Sequence, residues 1–221
     1  MFSCQGILFD LDGTLVDSIG DIHHALNCAL AEQGHGPAQL DDVRVWVGNG
    51  TPILVHRALT GDWNGKAESE LHQKTFESFL RFYENRIFVD TFIYPGVMET
   101  LERFKSNHKK MAVVTNKQEQ QTLTLLHASG LGKYFDCVIG GDSLDKRKPD
   151  PLPLITACER LGVPADDCVM VGDSASDINA AKAAGLPVVC MGYGYHQNTP
   201  ATELGADIVI DRFDQLLDLI I

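Results

Sequence analysis

The chain has 221 residues, 44% of them hydrophobic, and carries 18 Lys plus Arg against 30 Asp plus Glu, a net charge of −12. That acidity disfavours nucleic acid or an anionic membrane surface as a partner, since both are bound through cationic patches. No apolar run reaches the ~18 residues of a membrane helix, and the length suits one large domain or one carrying an insertion.

In chain order, the N-terminal stretch lacks a basic leader and is interrupted by Asp10 and Asp12, so no signal peptide is expected. Residues 6–10 form the first predicted strand. From 17 to 90 the pattern becomes helical: Ile22, Ala25, Leu26, Ala29 and Leu30 recur at helical spacing, as do Leu71, Phe76, Phe79, Leu80 and Tyr83. Strand and helix then alternate. A helix follows Pro95-Gly96, with Val97, Leu101 and Phe104 on one face, and another spans 118–129, closed by Gly130. Further strands are predicted at 111–115, 136–140, 168–172, 187–191 and 207–210. They read as continuous apolar runs, as strands buried on both faces do. The expected fold is α/β: a doubly wound, Rossmann-like parallel sheet built from residues 1–16 and 91–221, with a helical cap domain inserted at 17–90. The six cysteines (Cys4, Cys28, Cys137, Cys158, Cys168, Cys190) form no Cys-x-x-Cys pair. They are expected to be reduced and packed, in a cytoplasmic protein.

Ligands of open α/β sheets bind beyond the carboxyl ends of the strands. Asp10 and Asp12 follow the first strand, Thr115-Asn116 the second, and Asp173-Ser174 the fourth. Each alone is an ordinary turn or cap residue; together they suggest an oxygen-rich site for a hard cation such as Mg²⁺. Lys148, constrained by Pro149, Pro151 and Pro153, is the candidate partner for a phosphoryl group.

The run Phe9-Asp10-Leu11-Asp12-Gly13-Thr14-Leu15-Val16-Asp17-Ser18 resembles the first motif of the haloacid dehalogenase-like hydrolases. Thr115-Asn116, Lys148-Pro149 and Gly172-Asp173-Ser174 with Asp177 resemble the second, third and fourth. The resemblance implies Asp10 as a nucleophile that forms an aspartyl-phosphate and Asp12 as general acid and base. It implies Mg²⁺ held by Asp10, the Asp12 carbonyl and Asp173, with Asp177 and Ser174 behind them. Thr115 and Lys148 would hold the phosphoryl group.

The acid at Asp12 favours C–O–P esters within that family. Ile22, with His23 and His24 beside it, stands where mutases carry a cap histidine, which disfavours a mutase. The segment from Val45 to Leu59, with Gly48, Asn49, Gly50, Thr51 and Arg57, is similar to that of phosphoglycolate phosphatases. It implies hydrolysis of 2-phosphoglycolate to glycolate and phosphate, its carboxylate read by the Gly48–Thr51 loop with Arg57, Arg44 as a further helper, and Asn116 of the second motif as a further substrate-binding residue. A sugar phosphate or another small ester is the alternative substrate, and a phosphorelay receiver the alternative class. The expected partner is this small-molecule ester, with no nucleic acid and no membrane, in a monomer or homodimer.

Overall fold

The structure, a computed structural model, describes residues 1–221. Its elements run β1 (Gly6–Phe9), β2 (Val16–Asp17), α1 (Ile19–Glu32), α2 (Leu40–Trp46), α3 (Thr51–Thr60), α4 (Ser69–Glu84) and β3 (Phe92–Ile93). They continue with α5 (Val97–Ser106), β4 (Lys110–Val114), α6 (Glu119–Ala128), β5 (Cys137–Ile139), α7 (Leu152–Leu161) and β6 (Cys168–Gly172). The last are α8 (Ala175–Ala184), β7 (Val188–Met191), β8 (Ile208–Ile210) and α9 (Leu216–Leu219).

The six apolar runs form one sheet in the order β5-β4-β1-β6-β7-β8, with every pairing parallel. Successive strand residues alternate between its faces. Ile7, Phe9, Met111, Val113, Val169 and Val171 join one core with Val97, Leu101 and Phe104 of α5 and Leu125 and Leu126 of α6. Leu8, Ala112, Val114, Cys168 and Met170 join another with Leu154 and Leu161 of α7 and Ile178 and Ala181 of α8. Both faces are therefore covered, which is why these strands show no polar alternation. Four of the six cysteines are buried and all six are free. No helix is long and apolar enough to cross a membrane.

Helices α1–α4 enclose a third cluster, in which Ile22, Leu26 and Leu30 of α1 meet Val43, Val55, Phe79 and Tyr83, and Tyr195 reaches in from the segment after β7. Of the second predicted stripe, Phe79 and Tyr83 are fully buried, while Leu71, Phe76 and Leu80 are half-buried. The chain leaves for these helices along β2 and returns along β3, and the two strands pair antiparallel, Val16 with Ile93 and Asp17 with Phe92. Neither was anticipated. Asp21, fully buried in α1, accepts hydrogen bonds from the N–H groups of Val89, Asp90 and Thr91 and from the Thr91 hydroxyl, at 2.6–3.0 Å. A carboxylate so fully used anchors the returning segment against the first helix.

Candidate active site

Register decides what meets at the carboxyl edge of the sheet. Phe9 lies opposite Val113 on one side and Val171 on the other. The residues just past these strands, Asp10, Thr115 and Asp173, therefore emerge around the central strand. This is also the switch point, because the chain proceeds to β4 and β5 on one side of β1 and to β6–β8 on the other.

Asp10, Asp173 and Asp177 each offer an oxygen within 4.8 Å of the others. Lys148 ties this cluster together: its Nζ donates to the Val114 carbonyl and to Asp177 Oδ1, both at 2.6 Å, and lies 3.0 Å from Asp10 Oδ1. Asp10 Oδ1 also accepts the Leu11 N–H at 2.8 Å. Asp173 is held by the Thr14 hydroxyl at 2.7 Å and the Tyr195 N–H at 2.6 Å. Asp177 Oδ2 accepts from the Asp173 and Ser174 amides and from the Ser174 hydroxyl. Asp177 thus spends one oxygen on the α8 N-terminus and the other on Lys148.

The electrostatics are unbalanced. Burial, then Asp177, pushes the Asp10 carboxyl from 3.8 up to about 7 despite Lys148. Burial, Asp177 and Asp10 push Asp173 well above its usual range. Burial works against the Lys148 ammonium, but Asp10 and Asp177 outweigh it and raise its pKa. Three buried carboxylates share one ammonium here, so a hard cation with oxygen ligands would supply the missing positive charge. The donor set fits such an ion.

Asp12 stands on the other side of Asp10. It accepts a hydrogen bond from Ser18 Oγ and two from Lys117 Nζ, at 3.1 and 3.0 Å. Lys117 was not singled out from the sequence. Burial disfavours its charge, yet Asp12 holds its pKa above the usual lysine value. Its own amide donates to Thr115 Oγ1 at 3.2 Å.

Asp10, Asp12, Thr115, Asn116 and Lys117 form the floor of a pocket whose roof is Ile22, Gly48, Gly50, Thr51, Leu54, Phe79 and Tyr83. The roof is pinned to the sheet: Asn116 Nδ2 donates to the Gly48 carbonyl at 2.9 Å and to the Lys148 carbonyl at 3.0 Å. Asn49 donates to Ser176 Oγ, and Gln197 donates to the Val47 carbonyl and Asn49 Oδ1. Gly50 caps α3 at φ 90°, and a side chain there would stand 3.3 Å from the Asn116 carbonyl, so glycine suits this position on both counts.

Arg57 does not join the pocket. Its guanidinium lies 3.4 Å from the Trp63 ring centroid and donates to the Trp46 and Trp63 carbonyls. Arg44 faces Asp17 at 3.7 Å. His24 is exposed, and His23 bonds the Ala38 carbonyl.

A doubly wound parallel sheet with a carboxylate–lysine cluster at its switch point defines an α/β protein built for chemistry on an anionic group. The comparisons narrow this class. Residues 7–191 match the haloacid dehalogenase-like hydrolase family, and the chain belongs to it. It is 42% identical to a phosphoglycolate phosphatase of Nitrosospira multiformis, over 98% of this chain and 95% of that one. It is 40% identical to one of Thiobacillus denitrificans, over 93% and 91%. The crystal structure of a predicted phosphoglycolate phosphatase from Haemophilus somnus superposes with TM-score 0.93 at 34% identity, covering 99% of both chains.

Proposed function

We propose that the protein is a cytoplasmic, Mg²⁺-dependent phosphatase that hydrolyses 2-phosphoglycolate to glycolate and phosphate through an aspartyl-phosphate. The observation that carries this reading is the grouping of Asp10, Lys148, Asp173 and Asp177 beside a separate carboxyl, Asp12, that opens on the same pocket. The names of the relatives support the substrate, and six free thiols suit a reducing compartment.

Asp10 Oδ1 is occupied by Leu11 and Lys148, whereas Oδ2 accepts no hydrogen bond. That oxygen is the one free to attack phosphorus in line. Lys148, Thr115 and the adjacent amides stabilise the charge on the transferring group. Asp12 gives its proton to the leaving alkoxide, then takes one from the water that opens the aspartyl-phosphate. Asp10, Asp173 and the Asp12 carbonyl are the groups that would hold Mg²⁺, which when bound would neutralise phosphoryl oxygens. Residues 17–90 act as a cap: the Gly48–Thr51 loop roofs the pocket and excludes water.

The test is a panel of phosphate monoesters with Mg²⁺ and with EDTA. Turnover of 2-phosphoglycolate that is lost with EDTA and restored by Mg²⁺ is expected. Failure on every ester overturns the phosphatase reading, and a sugar phosphate as the best substrate overturns the choice of substrate.

A further inference from the structure

Lys117 is a buried ammonium to which the chemistry above gives no task. Of the other cations near the pocket, Lys148 is committed to Asp10, Asp177 and the Val114 carbonyl. Arg57 and Arg44 turn to Trp63 and Asp17, and Arg147, whose guanidinium lies beside Gly50, does not line the pocket. Lys117 lines the pocket itself, with its Nζ on both oxygens of Asp12 and 4.5 Å from the centre of the Tyr83 ring. Tyr83 supplies a second observation. It is 1% exposed, it lines the same pocket, and its hydroxyl, with the Lys117 ammonium as its polar neighbour, has no acceptor for its own proton. An ammonium cannot accept the hydroxyl proton, so that donor calls for an acceptor in the pocket.

Among the side chains that line the pocket Lys117 is the one cation, and Asp12 is its counter-ion there. A carboxylate on the substrate is the anion that an ammonium and a hydroxyl on one wall fit. Because Lys117 lies 3.0 Å from the carboxyl that faces the leaving oxygen, the carboxylate must sit close to that oxygen, as it does on the carbon bearing the ester.

We propose that Lys117 and the Tyr83 hydroxyl bind the carboxylate of the substrate and select phosphate esters of 2-hydroxy acids. The proposal rests on the phosphatase reading above and defines its substrate class. In the first half-reaction the bond between phosphorus and the ester oxygen breaks and one to Asp10 forms. The Asp12 proton passes to the departing alkoxide, which leaves as a 2-hydroxy acid. Asp12, again a carboxylate, reclaims Lys117 and so loosens the product. Water then attacks phosphorus, its proton goes to Asp12, and phosphate and the Asp10 carboxylate are regenerated.

The experiment compares kcat/KM for 2-phosphoglycolate and for ethyl phosphate, which lacks the carboxylate, in the wild type, Lys117→Met and Tyr83→Phe. Both esters use Asp12, so any effect of a substitution through Asp12 cancels in their ratio. A hydrogen-bonded charge is expected to favour 2-phosphoglycolate by about 10- to 150-fold in the wild type. In Lys117→Met the ratio should fall to within about threefold of unity, and competitive inhibition by glycolate should disappear. Tyr83→Phe should weaken glycolate inhibition by about 3- to 10-fold, in line with one neutral hydrogen bond. A wild type without preference sinks the substrate reading. A wild-type preference that survives in Lys117→Met, with glycolate inhibition intact, overturns the role of Lys117. Should Lys117→Met fail to fold, unchanged glycolate inhibition in Tyr83→Phe overturns the site.

Discussion

Replacing Asp10 by Asn should abolish turnover and, without metal, stabilise the protein. Inside the fold Asp10 titrates at about 7 instead of 3.8, because burial and Asp177 oppose its charge more than Lys148 favours it. A raised carboxyl pKa means that the folded chain binds the proton more tightly than the unfolded one. The group costs nothing below the unfolded value, and stability is lost as pH climbs from about 4 to about 7. Each tenfold in proton affinity is about 1.4 kcal/mol, so Asp10 costs the fold on the order of 4 kcal/mol at pH 8, where it is ionised, and about 2 kcal/mol at pH 5, where folding must first protonate it. The Asn side chain can still accept the Leu11 N–H, and Lys148 keeps Asp177 and Val114. Removing the charge also relieves Asp173, whose pKa Asp10 helps to raise. Thermal unfolding followed by circular dichroism in EDTA should therefore show Asp10→Asn melting above wild type at pH 8. The ceiling is about 8–16 °C for a chain of this size, and the gap should roughly halve at pH 5. Millimolar Mg²⁺ should raise the wild type and close the gap. A variant that melts at or below wild type at pH 8 in EDTA, or an advantage that grows on acidification, would refute the argument.

Two further outcomes are expected. Asp12→Asn should slow 2-phosphoglycolate at least tenfold more than it slows an activated aryl phosphate, whose leaving group needs no proton; equal losses in steady-state kinetics would mean that Asp12 acts through the fold alone. Asp21→Ala would take the acceptor from the buried Thr91 N–H and from the part-buried N–H groups of Val89 and Asp90, costing about 2–4 kcal/mol and lowering Tm by roughly 4–16 °C, and a change below about 1 kcal/mol in urea titrations would show that this segment finds other partners.

The sheet was legible because strands covered on both faces need apolar side chains at every position, so β1, β4, β6 and β7 stand out as unbroken runs. Asp10, Thr115 and Asp173 were legible for a related reason: polar residues suited to ligands end those runs. β2 and β3 were not, since two residues carry no periodicity and their pairing joins positions about 75 apart. The pocket roof was harder still. Arg57 follows the Gly48–Thr51 loop closely in sequence, but its turn of α3 aims it at Trp46 and Trp63. Lys117, 105 residues from Asp12, becomes a neighbour only through the β1–β4 register. Its one signal is its place directly after Asn116, between a strand end and a helix start.

The β2–β3 pair also bears on how the chain can reach its fold. Joining β1 to β4 closes roughly 100 residues of chain if the intervening segment is loose, but roughly 30 if α1–α4 have already formed and pinched the chain at Val16 and Ile93. The shorter path saves about 1 kcal/mol of closure entropy, a several-fold gain in the rate of that step if it limits folding. Four helices close in sequence are able to assemble early, since local contacts form fastest. The insertion that roofs the pocket would then serve, during folding, as the clasp that brings the central strand and its first partner within reach.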